Sequence, residues 1–264
     1  MKFDINYLIK TAIDAGEKIL EVYNSGDFGV TQKEDLSPLT KADTLSNDLI
    51  SERLAAEYPD IPVISEEGKD IPFETRKEWN RFWLVDPLDG TKEFINRNGE
   101  FTVNIAYVEK NKPFLGVIYI PVQDTIYFGA KGLGAFKQSG GKRSRIKPAA
   151  AKRGSRIGIS SRSHSHEREQ EFYKAAGADE VISAGSSLKF CYIAEGRAHL
   201  YYRFNPTMEW DTGAGHAIAE SAGAGVFNLS YNKESLKNSS FIVSGVNDRD
   251  TAGIIRRELG IEEG

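Results

Sequence analysis

Ten residues, Phe82 to Thr91 (FWLVDPLDGT), carry an apolar run straight into two carboxylates, a proline and a glycine. Phe82-Trp83-Leu84-Val85 is short and rich in β-formers, the pattern of a fully buried strand. Pro87 has no amide hydrogen, so the strand is expected to stop at Asp86-Pro87. Asp86 and Asp89, three positions apart across a forced turn, can then converge on one point at the strand's end. Two anions held together repel unless a cation lies between them. Hard carboxylate oxygens on a rigid turn suit Mg²⁺, whose octahedral shell keeps places for water and substrate phosphate. Gly90-Thr91 leads into Lys92-Glu93-Phe94-Ile95, where amides at a helix start could receive that phosphate. The same decapeptide also reads as a surface turn in which the two aspartates cap the backbone, and taken alone it does not decide.

Other acids recur at similar junctions. Ile61 to Ile64 reads as a strand ending in Ser65-Glu66-Glu67-Gly68, which on its own reads as a solvated acidic loop. Thr40-Lys41-Ala42-Asp43 precedes an amphipathic helix with Leu45, Leu49, Leu54 and Ala55 on its apolar side. Asp43 stands where a helix cap would stand. Asp211 in Met208-Glu209-Trp210-Asp211-Thr212-Gly213-Ala214-Gly215-His216 opens a small-residue helix running to Ala222 and also reads as a cap. Small residues there allow close backbone approach or tight helix packing.

The rest of the chain is read as scaffold. A first helix follows Asp4 and breaks at Ser25-Gly26-Asp27. Thr102 to Glu109, Pro113 to Val122, Thr125 to Ala130 and Ala135 to Gln138 read as an antiparallel meander, so the first half is α+β. Gly140 to Gly154 is basic and poor in large apolar groups; it is the expected boundary, giving halves 1–145 and 146–264. Its Lys142, Arg143, Arg145 and Lys147 read as a solvated loop. Strands at Arg156 to Ser160, Glu180 to Ser183 and Ala198 to Phe204 alternate with helices at His166 to Ala176 and Ser186 to Glu195. Such alternation is an α/β pattern.

The 264 residues suffice for a large core, and a net charge of −4 argues against a dedicated binder of nucleic-acid polymers. No apolar run reaches the ~20 residues of a membrane span, and MKFDINYLIK lacks a signal-peptide pattern. The single cysteine, Cys191, lies in an apolar run and reads as core, which fits a reducing cytoplasm. The four histidines have no zinc-type spacing, and neither a dinucleotide fingerprint nor a Walker-type loop is present.

Taken together, the TKAD, SEEG, WLVDPLDGT and EWDTGAG segments, in that order and spacing, resemble the lithium-sensitive, magnesium-dependent phosphomonoesterases that include inositol monophosphatase. Within that superfamily DPLDGTKEFINRNGEFTVNIA, SSLKF and RFNPTMEWD look most like the 3'(2'),5'-bisphosphate nucleotidases of the CysQ type. The resemblance implies the layered αβαβα sandwich of the fructose-1,6-bisphosphatase and inositol monophosphatase-like fold, with the site between the halves. It implies two or three Mg²⁺ ions held by Glu66, Asp86, Asp89, Asp211 and the Leu88 carbonyl, with Glu67 outside that shell and Li⁺ inhibitory. Asp43 and Thr91 would hold and deprotonate the attacking water, and the Gly90 and Thr91 amides would hold the phosphate. Glu66, Leu88, Asp89 and Asp211 would also meet substrate. His164, Ser186, Lys189 and Arg203 match residues that contact the nucleoside and its second phosphate, with His166 competing for the place of His164.

The implied reaction removes the 3'-phosphate from adenosine 3',5'-bisphosphate to give AMP, clearing a by-product of sulfate assimilation. A phosphate monoester dianion repels hydroxide, and cations lower that barrier. Transfer would be direct and in line, with no serine nucleophile. Two other readings compete: an inositol or sugar phosphatase of the same superfamily, and a noncatalytic module that binds metal or a phosphorylated ligand. Lys92-Glu93-Phe94 and Ser186 to Phe190 favour the nucleotidase, and the Asp43–Thr91 pair argues against a mere binder. The expected setting is the cytoplasm. Oligomeric state and peripheral contact with the inner membrane are left open.

Overall fold

The computed structural model describes residues 3–33, 37–163 and 165–261. Helix α1, Ile5–Ser25, begins where the Asp4 carboxylate accepts the amides of Asn6 at 2.9 Å and Tyr7 at 3.2 Å, and ends at Gly26 in the left-handed conformation. A two-stranded ribbon, β1 (Thr31–Gln32) and β2 (Pro38–Leu39), leads to α2, Lys41–Glu57. There follow β3 (Val63–Ser65), α3 (Phe73–Arg76), β4 (Arg81–Asp89), α4 (Thr91–Ile95), β5 (Thr102–Glu109) and β6 (Lys112–Ile120). Strands β7 (Thr125–Ala130), β8 (Gly134–Ser139) and β9 (Lys142–Ile146) complete the first part. Strands β3 to β9 form one seven-stranded sheet in chain order, parallel between β3 and β4 and antiparallel elsewhere.

Two expectations are corrected here. Pro87 does not end β4: the strand runs to Asp89, and a bulge absorbs the proline, since Asp86 pairs with Asn104 and Asp89 with Thr102. Residues 140–154 are not all loop. Gly140 and Gly141, both at positive φ, turn the chain, and β9 returns along β8 as the sheet's edge. Lys142, Arg143 and Arg145 are exposed there, so they are solvated on a strand, a charged edge that discourages further pairing.

The second part consists of β10 (Arg156–Ser161), α5 (Glu167–Ala175), β11 (Ala178–Ala184), α6 (Leu188–Ala194), β12 (Leu200–Arg203) and β13 (Thr207–Met208). It continues with α7 (Glu209–Ala222), β14 (Gly225–Phe227), β15 (Lys237–Asn238), β16 (Phe241–Ser244) and α8 (Arg249–Leu259). A five-stranded sheet has the order β11-β10-β12-β16-β14, with β10 parallel to both neighbours and β16 antiparallel to both of its own.

Alternation along the strands sorts the core into layers. Trp83, Val85, Val103, Ile105 and Val117 face α1 and α2, packing on Leu8, Ala12, Ile19 and Ile50. Leu84, Ala106 and Ile118 face the other way, onto Phe190 and Cys191 of α6 and Ala214 and Ile218 of α7. The same layer receives Ile159, Tyr201 and Phe241 from the five-stranded sheet. That sheet's far face, Leu200, Tyr202 and Ile242, packs on Phe172 of α5 and Ile255 of α8. The order is therefore α1/α2, large sheet, α6/α7, small sheet, α5/α8: the αβαβα sandwich. Cys191 is wholly buried in it, and burial pushes its thiol up. No helix among the described residues is long and apolar enough to cross a membrane.

The small residues of α7 bring it against the large sheet. A Cβ on Gly116 of β6 would lie 2.3 Å from the Ala214 carbonyl oxygen, and one on Gly215 would meet the Phe190 ring at 2.4 Å. Only glycine permits that approach.

Candidate active site

Parallel pairing places the first two acids. In β3 and β4 Ser65 stands opposite Val85, and the Glu66 amide donates to the Val85 carbonyl at 3.1 Å, so Glu66 leaves its strand beside Asp86. The alternative of a solvated surface turn fails for Asp86, which is 1% exposed.

Asp211 arrives from the opposite face of the sheet. It does not cap α7 but is the helix's third residue, and its Oδ2 accepts the Met208 amide at 2.9 Å and the Thr207 hydroxyl. Asp43 is displaced in the same way: Thr40 caps α2, and the Thr40 amide and hydroxyl donate to Asp43 Oδ2 at 2.8 and 2.6 Å.

Glu66, Asp86 and Asp211 each offer a carboxylate oxygen within 4.8 Å of the others. Burial pushes the Asp86 carboxyl well up, and Glu66, Asp89, Asp211 and Asp43 push it further. Burial raises Asp211 to about 7, with Asp89 and Glu66 adding to it against its hydrogen bonds. Glu66 is raised by burial, opposed by Lys33, whose Nζ lies 2.7 Å from Glu66 Oε1 and also pairs with Glu67. Burial and mutual repulsion disfavour charge on all three carboxylates, and three such oxygens so close together could hold a hard divalent cation.

Asp89 lies at the rim of this group with its own partners. Burial raises it, offset first by Lys189. Its Oδ2 lies 2.7 Å from Ser187 Oγ and 3.2 Å from Asn104 Nδ2, and Ser187 Oγ lies 2.9 Å from the Asp211 carbonyl. Asn104 and Ser187, both buried, thus tie β4, β5, α6 and α7 together at the site. The sequence reading missed both, although a lone amide inside the apolar run of β5 is the kind of signal that marks such a tie.

Across from the acids, Thr91 Oγ1 lies 3.2 Å from Asp43 Oδ1 and 3.4 Å from the Leu88 carbonyl. Asp43 is raised by burial against its Thr40 bonds, so a proton is less costly there than on a surface aspartate. Ser46 Oγ donates to the Pro87 carbonyl at 2.7 Å, fastening α2 to the bulge. Gly90, at φ 93°, turns β4 into α4.

These groups line one cavity of about 310 Å³. Glu66, Asp86, Leu88, Asp89, Gly90, Thr91 and Asp211 stand along it with Ser186, Lys189 and Arg203; Asp43 reaches it only through Thr91. Lys189 is buried, which lowers its ammonium to about 8 against the pull of Asp89, and its Nζ donates to the Ser186 and Ala184 carbonyls. Ser186 has a positive φ of 41°, and its buried hydroxyl has no hydrogen-bond partner among the described residues. Arg203 Nε donates to the Asn205 carbonyl at 3.1 Å. His164 lies outside the described residues. His166 is the cap of α5, accepting the Arg168 amide at 3.2 Å with its ring 4.2 Å from that of Phe204, and it does not line the cavity.

The model of the inositol monophosphatase family matches residues 3–259. Proteins named 3'(2'),5'-bisphosphate nucleotidase CysQ are 46% identical, from Salmonella typhimurium over 247 residues (91% of this chain, 99% of that one) and from Escherichia coli K12 over 248 (also 91% and 99%). The crystal structure of CysQ from Bacteroides thetaiotaomicron is 44% identical, with a TM-score of 0.80 over 92% of this chain and 97% of that one. The Thermotoga maritima IMPase shares the fold at 23% identity, with a TM-score of 0.78 over 97% and 98%. With its acids at the ends of two neighbouring strands of the large sheet and on the first turn of α7, this chain belongs to the inositol monophosphatase family.

Proposed function

We propose that this chain is a Mg²⁺-dependent 3'(2'),5'-bisphosphate nucleotidase that hydrolyses adenosine 3',5'-bisphosphate to AMP and phosphate, clearing a by-product of sulfate assimilation. The observation that carries this reading is one cavity lined both by the carboxylates Glu66, Asp86, Asp89 and Asp211 and by the cations Lys189 and Arg203. Glu66, Asp86, Asp89, Asp211 and the Leu88 carbonyl would hold the ions, and the raised, clustered carboxylates fit that role. Bound Mg²⁺ supplies neutralisation of phosphate charge and acidification of water. Asp43 receives the proton of the attacking water by way of the Thr91 hydroxyl, and its Thr40 contacts fix its orientation. The Gly90 and Thr91 amides orient the scissile phosphate at the bulge. Lys189 and Arg203 engage the phosphate that is retained, with Ser186 beside them, and so select a bisphosphate over a simple ester. On this reading the division near residue 145 separates the part that holds metal from the part that selects the nucleotide, with Asp211 crossing over.

Phosphate release from adenosine 3',5'-bisphosphate and from inositol 1-phosphate, side by side with Mg²⁺ and then with added Li⁺, tests it. Preference for the nucleotide, dependent on Mg²⁺ and suppressed by Li⁺, is expected. Preference for inositol 1-phosphate would overturn the substrate while keeping the metal centre, and release from neither would overturn both.

A further inference from the structure

A second and larger cavity, of about 650 Å³, opens along the C-terminal half of α7. Its apolar lining comes from Pro113, Ala217, Val226 and Leu229. Its walls carry three cations from separate stretches: Lys112 at the start of β6, Lys131 in the turn between β7 and β8, and Arg145 on β9. The two hairpin ends are bonded together, the Lys131 amide donating to the Phe114 carbonyl at 2.9 Å. The Arg145 guanidinium lies across the backbone of Gly134, where a Cβ would come within 2.8 Å of it. None of the three side chains makes an ion pair or hydrogen bond among the described residues.

One carboxylate faces them. Glu220 is held below the usual carboxylate range, first by His216, whose Nε2 is 3.3 Å away, and at longer range by Lys112 and Lys131. His216 is buried, and its Nδ1 lies 3.0 Å from the Tyr231 hydroxyl, which fixes the ring. Glu220 is thus engaged, and three cations against one acid leave the lining positive in a chain whose net charge is −4. Scattered surface lysines are solvated and need no ligand. Cations gathered around a concave apolar lining concentrate positive potential where a ligand's body can be desolvated.

We propose that this cavity is a second ligand site for a small organic anion. A tetrahedral oxyanion, phosphate or sulfate, is met by Lys112, Lys131 and the planar fork of Arg145, while its apolar or aromatic body rests on Val226 and Leu229. The site is separate from the acid cluster yet shares α7 with it, because Asp211 lies in the first turn of the helix that also carries His216 and Glu220.

The test is calorimetric titration of the EDTA-treated full chain with phenyl phosphate and with phenyl sulfate, comparing the native protein with a Lys112→Glu/Arg145→Glu double variant and with Arg203→Ala. One saturable site is expected, weakened about tenfold or more by the double charge reversal and unchanged by Arg203→Ala. The double variant should keep Mg²⁺-dependent phosphate release, which shows that it has folded. Tighter binding of one ester than the other assigns the site to that oxyanion, and equal binding assigns it to both; each supports the proposal. No saturable binding up to about 10 mM, or equal affinity in the double variant, overturns it. So does loss of binding in Arg203→Ala, which would place the ester in the first cavity. A protein dimer that the double charge reversal abolishes would show that a second copy covers this face and would likewise overturn the small-ligand site.

Discussion

Asp43 and Asp211 hold the same position in two helices on opposite faces of the large sheet: each is the third residue of its helix, and each accepts the amide of the residue before the helix on Oδ2, at 2.8 and 2.9 Å. A carboxylate so placed is clamped by the helix start and favoured by its dipole. In Asp43 the clamp occupies Oδ2 and leaves Oδ1 toward Thr91, 3.2 Å away.

That geometry makes the pair separable from binding. Asp43→Asn and Thr91→Val should each lower kcat by about 10²–10⁴-fold, with KM within a few-fold of the native value. Steady-state phosphate release is the measurement, and a loss below about tenfold in both variants would remove the pair from proton transfer.

Asp86→Asn should separate stability from turnover. It removes one buried charge from a mutually repelling set, so melting in EDTA should occur at a higher temperature than for the native chain, by ~2–4 °C for each kcal/mol of repulsion relieved. Mg²⁺-dependent turnover should be lost. A variant that keeps near-native kcat would sink the assignment of Asp86 to metal.

Asp211 gives the metal-free protein a pH signature. Its folded value, about 7, lies above its usual 3.8, so between those values the folded chain binds more protons than the unfolded one. Asp211's contribution therefore weakens as pH rises from 3.8 to about 7. Denaturant melts in EDTA across that window should show a flatter pH dependence for Asp211→Asn than for the native chain. Equal slopes would show that Asp211 titrates normally.

Lys189, lowered to about 8, stays charged below that pH and loses its charge above it. If it meets the retained phosphate, kcat/KM for adenosine 3',5'-bisphosphate should decline above about pH 8 relative to kcat/KM for a monophosphate. Arg203→Ala should narrow the preference between those substrates at every pH. Parallel pH profiles would take Lys189 out of the substrate contact.

Much of this was legible in the chain itself, and the limits were physical. The run Phe82 to Val85 marks the strand that carries Asp86 and Asp89, because burial on both faces demands continuous apolar residues. Pro87 misled on where it ends, because a bulge can absorb a proline and a linear pattern does not show which residue will be left unpaired. Asp43 and Asp211 each read locally as a cap, whereas the caps are Thr40 and Met208, three residues earlier; an acid is favoured both as a cap and at the third helical position, so the residue type alone does not choose between them. Lys33, Asn104 and Ser187 escaped notice because their partners are far along the chain: Lys33 meets Glu66, and Asn104 meets Ser187. Beyond Gly225 the sequence pattern marks no element, yet β16 and α8 lie there; β16 is an apolar run of only a few residues, flanked by β12 and β14 in its sheet.

Gly116 touches no acid and lines neither cavity, yet a methyl group there would collide with the Ala214 carbonyl, one helical turn past Asp211. Relief would come by lifting α7, and with it the one carboxylate supplied from the far side. A mutational scan scored on activity would therefore rank Gly116 among the site residues although it touches none of them, a position read out only through the backbone that rides on it.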